Sequence, residues 1–275
     1  MRNDDRLKFY GRRKGKTLKQ NRQSAYDEVM AWSRLELPPE IPSPAPMRER
    51  ARERDESGGS ASSPSADREP AGKPLSPRPL PEDGRGGFID PRSLFDFPVR
   101  DVWMEIGFGN GEQLIHQALQ HPDIGFIGCE PFMNGVAALC RDMRDNKLRN
   151  IRIFQDDARL LLPLLPDHSI GRLFLLNSDP WPKKRHHKRR VVQTETLDQF
   201  HRLLVAGGEL RMSSDDPSLN EWQLEKAYFH GGFEWTAQRA DDWRTRPADM
   251  LGTRYQAKGL VQGRETMFLN FRNRA

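Results

Sequence analysis

Between residues 98 and 275, short apolar runs alternate with stretches of helical spacing, and this alternation restricts the fold more than any other feature. Val99–Ile106 reads as a strand that ends in a glycine turn. Further strands are expected at Ile124–Cys129, Ile151–Phe154, Arg172–Leu176, Glu209–Met212, Phe233–Gln238 and Met267–Phe271. Helices are expected at Glu112–His121, Met133–Arg144, Val191–Val205, which Gly207-Gly208 ends, and Pro217–Phe229. Strands separated by helices imply an α/β fold: a doubly wound, mostly parallel sheet with helices on both faces. Ligands in such sheets bind at the carboxyl ends of the strands. The chemistry is therefore expected just after each strand.

The rest of the chain divides by composition. Residues 38–87 hold eleven of the 21 prolines, and their large apolar residues are only Ile41, Met47, Leu75 and Leu80. Such a stretch buries too little apolar surface to offset its ordering entropy, so it reads as a disordered insertion. Residues 1–37 read as a basic arm followed by a short helix near Ser24–Leu35, and 88–275 as a compact domain. Net charge is +5 and its excess is local: residues 1–22 carry nine Lys/Arg, and Lys183–Arg190 carries six with no acid. That distribution favours a polyanionic partner. Cys129 and Cys140 form no C-x-x-C pair, which argues against a zinc site or disulfide framework. No apolar run approaches the ~20 residues of a membrane span, and the basic start lacks an apolar signal core. The expected location is the cytoplasm, with no membrane contact. No motif sets an oligomeric state.

Each strand end then offers a candidate group. After the first comes Glu105-Ile-Gly107-Phe-Gly109-Asn-Gly111. The glycines permit tight turns and close approach of a ligand. A dinucleotide fingerprint would need glycine where Glu112 stands, and Glu105 would repel a pyrophosphate. A carboxylate there suits a ligand with a cationic end instead. After the second strand, Glu130 is placed to take ribose hydroxyls. After the third, Asp157 is favoured over Asp156 for an exocyclic amine of a bound nucleoside. The fourth strand leads into Ser178-Asp-Pro-Trp-Pro-Lys183. There Asp179 faces the reacting group, the prolines fix the turn, and Trp181 offers a flat face or ordinary packing. The run from Lys183 to Arg190 opens the next helix and binds phosphate. Adjacent His186 and His187 lack the spacing of a helical metal site, so no metal is expected. After the fifth strand Asp215 points into the same cleft, while Asp216 caps the helix that follows.

These residues together resemble the bacterial tRNA (guanine-N7-)-methyltransferases. The likeness is carried by Glu105–Gly111, Gly128-Cys-Glu130, Asp157-Ala158, Ser178–Lys183, Arg189-Arg190, Ser214-Asp215 and Thr253-Arg-Tyr-Gln256. It covers about 98–275, with a weaker likeness at Tyr10-Gly-Arg-Arg. The resemblance implies a class I methyltransferase fold, S-adenosylmethionine as methyl donor, and guanine in the tRNA variable loop as acceptor. It implies donor binding by Glu105, Gly107, Gly109, Glu130, Asp157 and Asp179, with Asp179 also catalytic. Lys183, Asp215, Thr253, Arg254, Tyr255 and Gln256 match its substrate positions, and Lys184, Arg185, Lys188, Arg189 and Arg190 would face the RNA backbone. The chain departs from the family twice. Gln256 stands where the family usually has Glu, and the 38–87 insertion is unusually long. The competing expectation is a catalytically weakened RNA-binding member of the same fold, against which the intact acids argue.

Overall fold

The computed structural model describes residue 15 and residues 17–37, 89–252 and 261–274. The expected insertion at 38–87, residues 1–14 of the basic arm, and Thr253, Arg254, Tyr255 and Gln256 lie outside the described residues.

Among the described residues, seven strands form one sheet: β1 (Asp101–Ile106), β2 (Ile124–Cys129), β3 (Ile151–Phe154), β4 (Ile170–Leu176), β5 (Leu204–Ser214), β6 (Phe233–Trp235) and β7 (Met267–Asn273). Their spatial order is β3-β2-β1-β4-β5-β7-β6. Strands β1 to β5 run parallel, and β7 enters antiparallel between β5 and β6. The order reverses between β1 and β4, so a crevice opens at their carboxyl ends.

The helices are α1 (Gln20–Ser33), α2 (Glu112–Gln120), α3 (Met133–Asp145), α4 (Ala158–Leu161), α5 (Thr194–Leu203), α6 (Pro217–Phe229) and α7 (Asp241–Arg244). They divide between the faces as strand periodicity dictates. Val102, Met104, Ile106, Ile127 and Cys129 pack toward Leu161, Leu197 and Phe200 of α4 and α5. The alternate residues Trp103 and Phe126 pack toward Val29, Leu114 and Leu139 of α1, α2 and α3. Every residue of β2 is buried, as expected of a strand covered on both sides.

Helix α1 completes the second face. Its Ala25, Tyr26, Val29 and Met30 are buried, and the Tyr26 hydroxyl donates to Gln155 Oε1 at 2.5 Å. Past its end, Leu35 N donates to Ile153 O at 2.8 Å. The short helix expected near Ser24–Leu35 is thus α1, and Arg34 and Leu35 just past it pair with the otherwise open edge of β3.

Two differences from expectation bear on the site. The helix expected over Val191–Val205 is α5, and β5 begins directly after it at Leu204. Gly207-Gly208 lies inside that strand, not at a helix end. Ile170 pairs with Leu204 and Arg172 with Glu209, so two steps on β4 face five on β5. Gly207 takes φ +73° in that excursion, a region open to glycine. The basic run does not open α5 either. Lys184–Arg189 forms a separate 3-10 helix, tied to α5 by Gln193 Nε2 donating to His187 O at 2.8 Å. Among the described residues, no helix is long and apolar enough to cross a membrane.

Candidate active site

A cavity of about 550 Å³ opens at the carboxyl ends of β1, β2, β3 and β4. Its floor is the turn after β1. Gly107 and Gly109 have φ of +73° and +57°, and a Cβ at either would meet no atom within 4 Å. Both glycines border the cavity, so the turn leaves an open cradle where side chains would otherwise stand. Glu130 closes this turn from β2. Its Oε2 accepts from Gly109 N and its Oε1 from Phe132 N, both at 2.9 Å. Each carboxylate oxygen keeps a second lone pair for a ligand hydroxyl.

The acids that line the cavity differ in environment. Glu105 is 3% exposed, and burial, with a smaller push from Glu130, raises its pKa to about 8. Burial also raises the pKa of Glu130; the two backbone donors oppose this, and nearby Asp179 adds to it. A cationic ligand would lower both, because it favours the charged form of each. Gln113 borders the cavity too, buried, with a side-chain Nε2 that has no hydrogen-bond partner among the described residues. Buried carboxylates, a buried amide nitrogen with a hydrogen to donate and an open glycine cradle fit a nucleoside that carries positive charge.

Asp157 lines the cavity, but its carboxylate is already engaged. Oδ1 accepts from Arg159 N at 3.0 Å and from Arg159 Nε at 2.9 Å, and it caps α4. Arg159 also borders the cavity, and sequence reasoning missed it. Its signal was available, since an arginine two residues after an N-cap acid can fold back on it. Thr196, buried on the first turn of α5, lines the cavity with no signal in the sequence.

Asp179 stands at the rim, exposed to solvent and lining the cavity. Lys183, Lys184, Arg185 and Lys188 are exposed beside it and do not line the cavity. Arg189 does line it, with its guanidinium 4.9 Å from the centre of the Trp181 ring. Arg190 departs from the expected phosphate-facing set. It is 1% exposed, donates from Nε to Pro180 O at 2.8 Å, and reaches Ser218 O and Oγ with its other nitrogens. It ties the Asp-Pro-Trp-Pro loop to the start of α6. Asp215 also departs from expectation. It does not border the cavity and pairs with Arg264 at 3.3 Å. Asp216 caps α6 by accepting from Leu219 N at 2.8 Å, as expected.

This strand order, with an acid-lined cavity on a glycine turn at the switch point, defines a class I methyltransferase fold. The 16S rRNA methyltransferase KamB shares it, with a TM-score of 0.50 and 16% identity over 67% of this chain and 91% of that one. A family model described as "Putative methyltransferase" matches residues 100–269. A tRNA (guanine-N(7)-)-methyltransferase of Rhodospirillum rubrum is 41% identical over 97% of this chain and 88% of its own length. A protein of the same description from Chelativorans is 36% identical over 96% of this chain and 94% of its own. The chain belongs to the tRNA (guanine-N7-)-methyltransferase family.

Proposed function

We propose that the protein transfers the methyl group of S-adenosylmethionine to N7 of a guanine in the tRNA variable loop. One observation carries this reading. A buried acidic cavity suited to a cationic nucleoside has Asp179 at its rim, and four exposed cations follow within nine residues.

The chemistry needs little from the protein beyond placement. Guanine N7 has a free lone pair and no proton, so no base must remove a hydrogen. The lone pair forms the new N–CH3 bond as the S–CH3 bond breaks, with its electrons going to sulfur. Positive charge passes from sulfur to the guanine ring. The site must align the two atoms and offer negative potential where charge develops. Glu105 would hold the donor's ammonium group, and Glu130 its ribose hydroxyls. With the Asp157 carboxylate engaged by Arg159, the pair would form the wall beside the adenine. Asp179 would accept from guanine N1–H and the exocyclic amine and stabilise the cationic product. Lys183, Lys184, Arg185 and Lys188 would hold flanking phosphates and offset the repulsion of RNA by the acids.

A transcript of the substrate tRNA carrying 7-deazaguanine for guanine tests this reading. It presents the same hydrogen-bonding edge but has carbon in place of N7. The expected result is retained binding with no methyl transfer. Transfer to the deaza transcript at a rate near that of the guanine form would overturn the assignment of the acceptor atom.

A further inference from the structure

The Trp181 indole lines the same cavity as Glu105 and Asp179, two residues beyond Asp179 in the chain. Its backbone has φ +44°, in the left-handed region that bulky residues enter only where the surroundings hold them. The surroundings do hold it. Proline flanks it on both sides, and Arg190 pins the Pro180 carbonyl from within the fold. The result aims one indole face at the Arg189 guanidinium, 4.9 Å from the ring centre. His186 meets the indole edge-on, with ring centres 5.9 Å apart and planes at 88°. The loop is therefore built to present an aromatic face to a planar, delocalised cation.

We infer that Trp181 is a catalytic residue of the transfer: its indole face receives the acceptor guanine and stabilises that ring as it becomes a cation. The inference rests on the proposed N7-guanine acceptor. Neutral guanine stacks on an indole through its apolar faces. The N7-methylated ring adds the attraction between a cation and the ring quadrupole. That added term is absent in the ground state and grows as charge moves off sulfur. An interaction that strengthens toward the transition state raises kcat and not merely affinity. The Arg189 guanidinium marks the place on the indole that such a planar cation would take, and the acceptor ring displaces it on binding.

Two variants of the full chain test this, Trp181→Leu, which keeps apolar bulk, and Trp181→Phe, which keeps a weaker π face. Kinetics with methyl donor and a tRNA transcript give kcat. Affinities for methylated and unmethylated transcript, with S-adenosylhomocysteine present, give a discrimination ratio that a merely structural role would not move. Expected for Trp181→Leu is a kcat about tenfold lower, with the discrimination ratio shifted severalfold against the methylated transcript and donor affinity unchanged. Trp181→Phe should fall between it and wild type on both readouts. An unchanged kcat, or a kcat that falls while the ratio stays at its wild-type value, overturns the inference. If Trp181→Leu no longer binds donor, Trp181→Phe decides alone by the same criterion. A wild-type protein that transfers no methyl to tRNA would instead overturn the reading on which the inference rests.

Discussion

Glu105 is the residue in which fold and function meet most directly. It stands one residue before the end of β1 with its carboxyl buried, and burial raises its pKa to about 8 from the 4.5 of an ordinary glutamate. Two consequences follow from linkage. In the ligand-free protein, the folded state keeps a proton that the unfolded state loses between pH 4.5 and about 8. Glu105 therefore contributes stability that is full below pH 4.5 and is lost as pH rises through about 8. If Glu105 meets the donor's ammonium group as proposed, it does so as the carboxylate, and binding at pH 7 expels the proton. Calorimetry in buffers of different ionisation enthalpy should show release of about one proton per donor bound. Glu105→Gln should abolish that release and weaken binding. Heat independent of the buffer in the wild type would show that Glu105 is already charged or does not meet the donor.

At the scale of elements, the basic run Lys183–Arg190 divides into two functions. Lys183, Lys184 and Arg185 extend into solvent, whereas Arg190 turns inward to fasten the loop to α6. Replacing the first three by alanine should leave the melting temperature within a degree or two. It should flatten the dependence of log tRNA affinity on log salt by roughly 0.7–0.9 per lost phosphate contact. Arg190→Ala should do the reverse. It should destabilise the fold by about 3 kcal/mol, through a buried void and unpaired acceptors, and barely change the salt slope. Melting curves and salt titrations of both variants check the division, and matching behaviour would refute it. The sequence could not make this distinction, because eight adjacent Lys, Arg and His residues look alike until a 3-10 helix turns the last one inward. The strands were more legible. The run Ile124–Cys129 coincides with β2 because a strand buried on both faces leaves no polar gap; Ile151–Phe154 coincides with β3 although it carries the buried Arg152, whose guanidinium is met by backbone carbonyls. The end of α5 was not legible, since Gly207-Gly208 resembles a helix stop and serves a strand excursion instead. At the site, Glu105, Glu130 and Asp179 line the cavity because each stands at or just past the carboxyl end of a parallel strand, a position legible in the sequence. Asp215 was not, because its partner Arg264 lies 49 residues further along the chain, the difference of the two positions.

At the scale of the whole molecule, the described parts distribute charge by purpose. Glu105, Glu130, Asp157 and Asp179 line the cavity at the strand ends, and the exposed Lys183, Lys184, Arg185 and Lys188 follow Asp179 in the chain. Helix α1 lies on the same face of the sheet as α3. Gly15 N donates to Asn134 Oδ1 at 2.8 Å, so residue 15 lies against the first turn of that helix. Phe132, next to that turn, is part of the cavity wall. This arrangement matches a small cationic donor enclosed by acids and a large polyanion approaching from outside. The most direct test is to incubate the protein with S-adenosylmethionine labelled in its methyl group and bulk tRNA, then digest the RNA and separate its nucleosides. The account predicts label in 7-methylguanosine, reduced about 10²- to 10³-fold in initial rate by Asp179→Ala. Label in any other nucleoside, or none in RNA from a protein that binds both substrates, would contradict it.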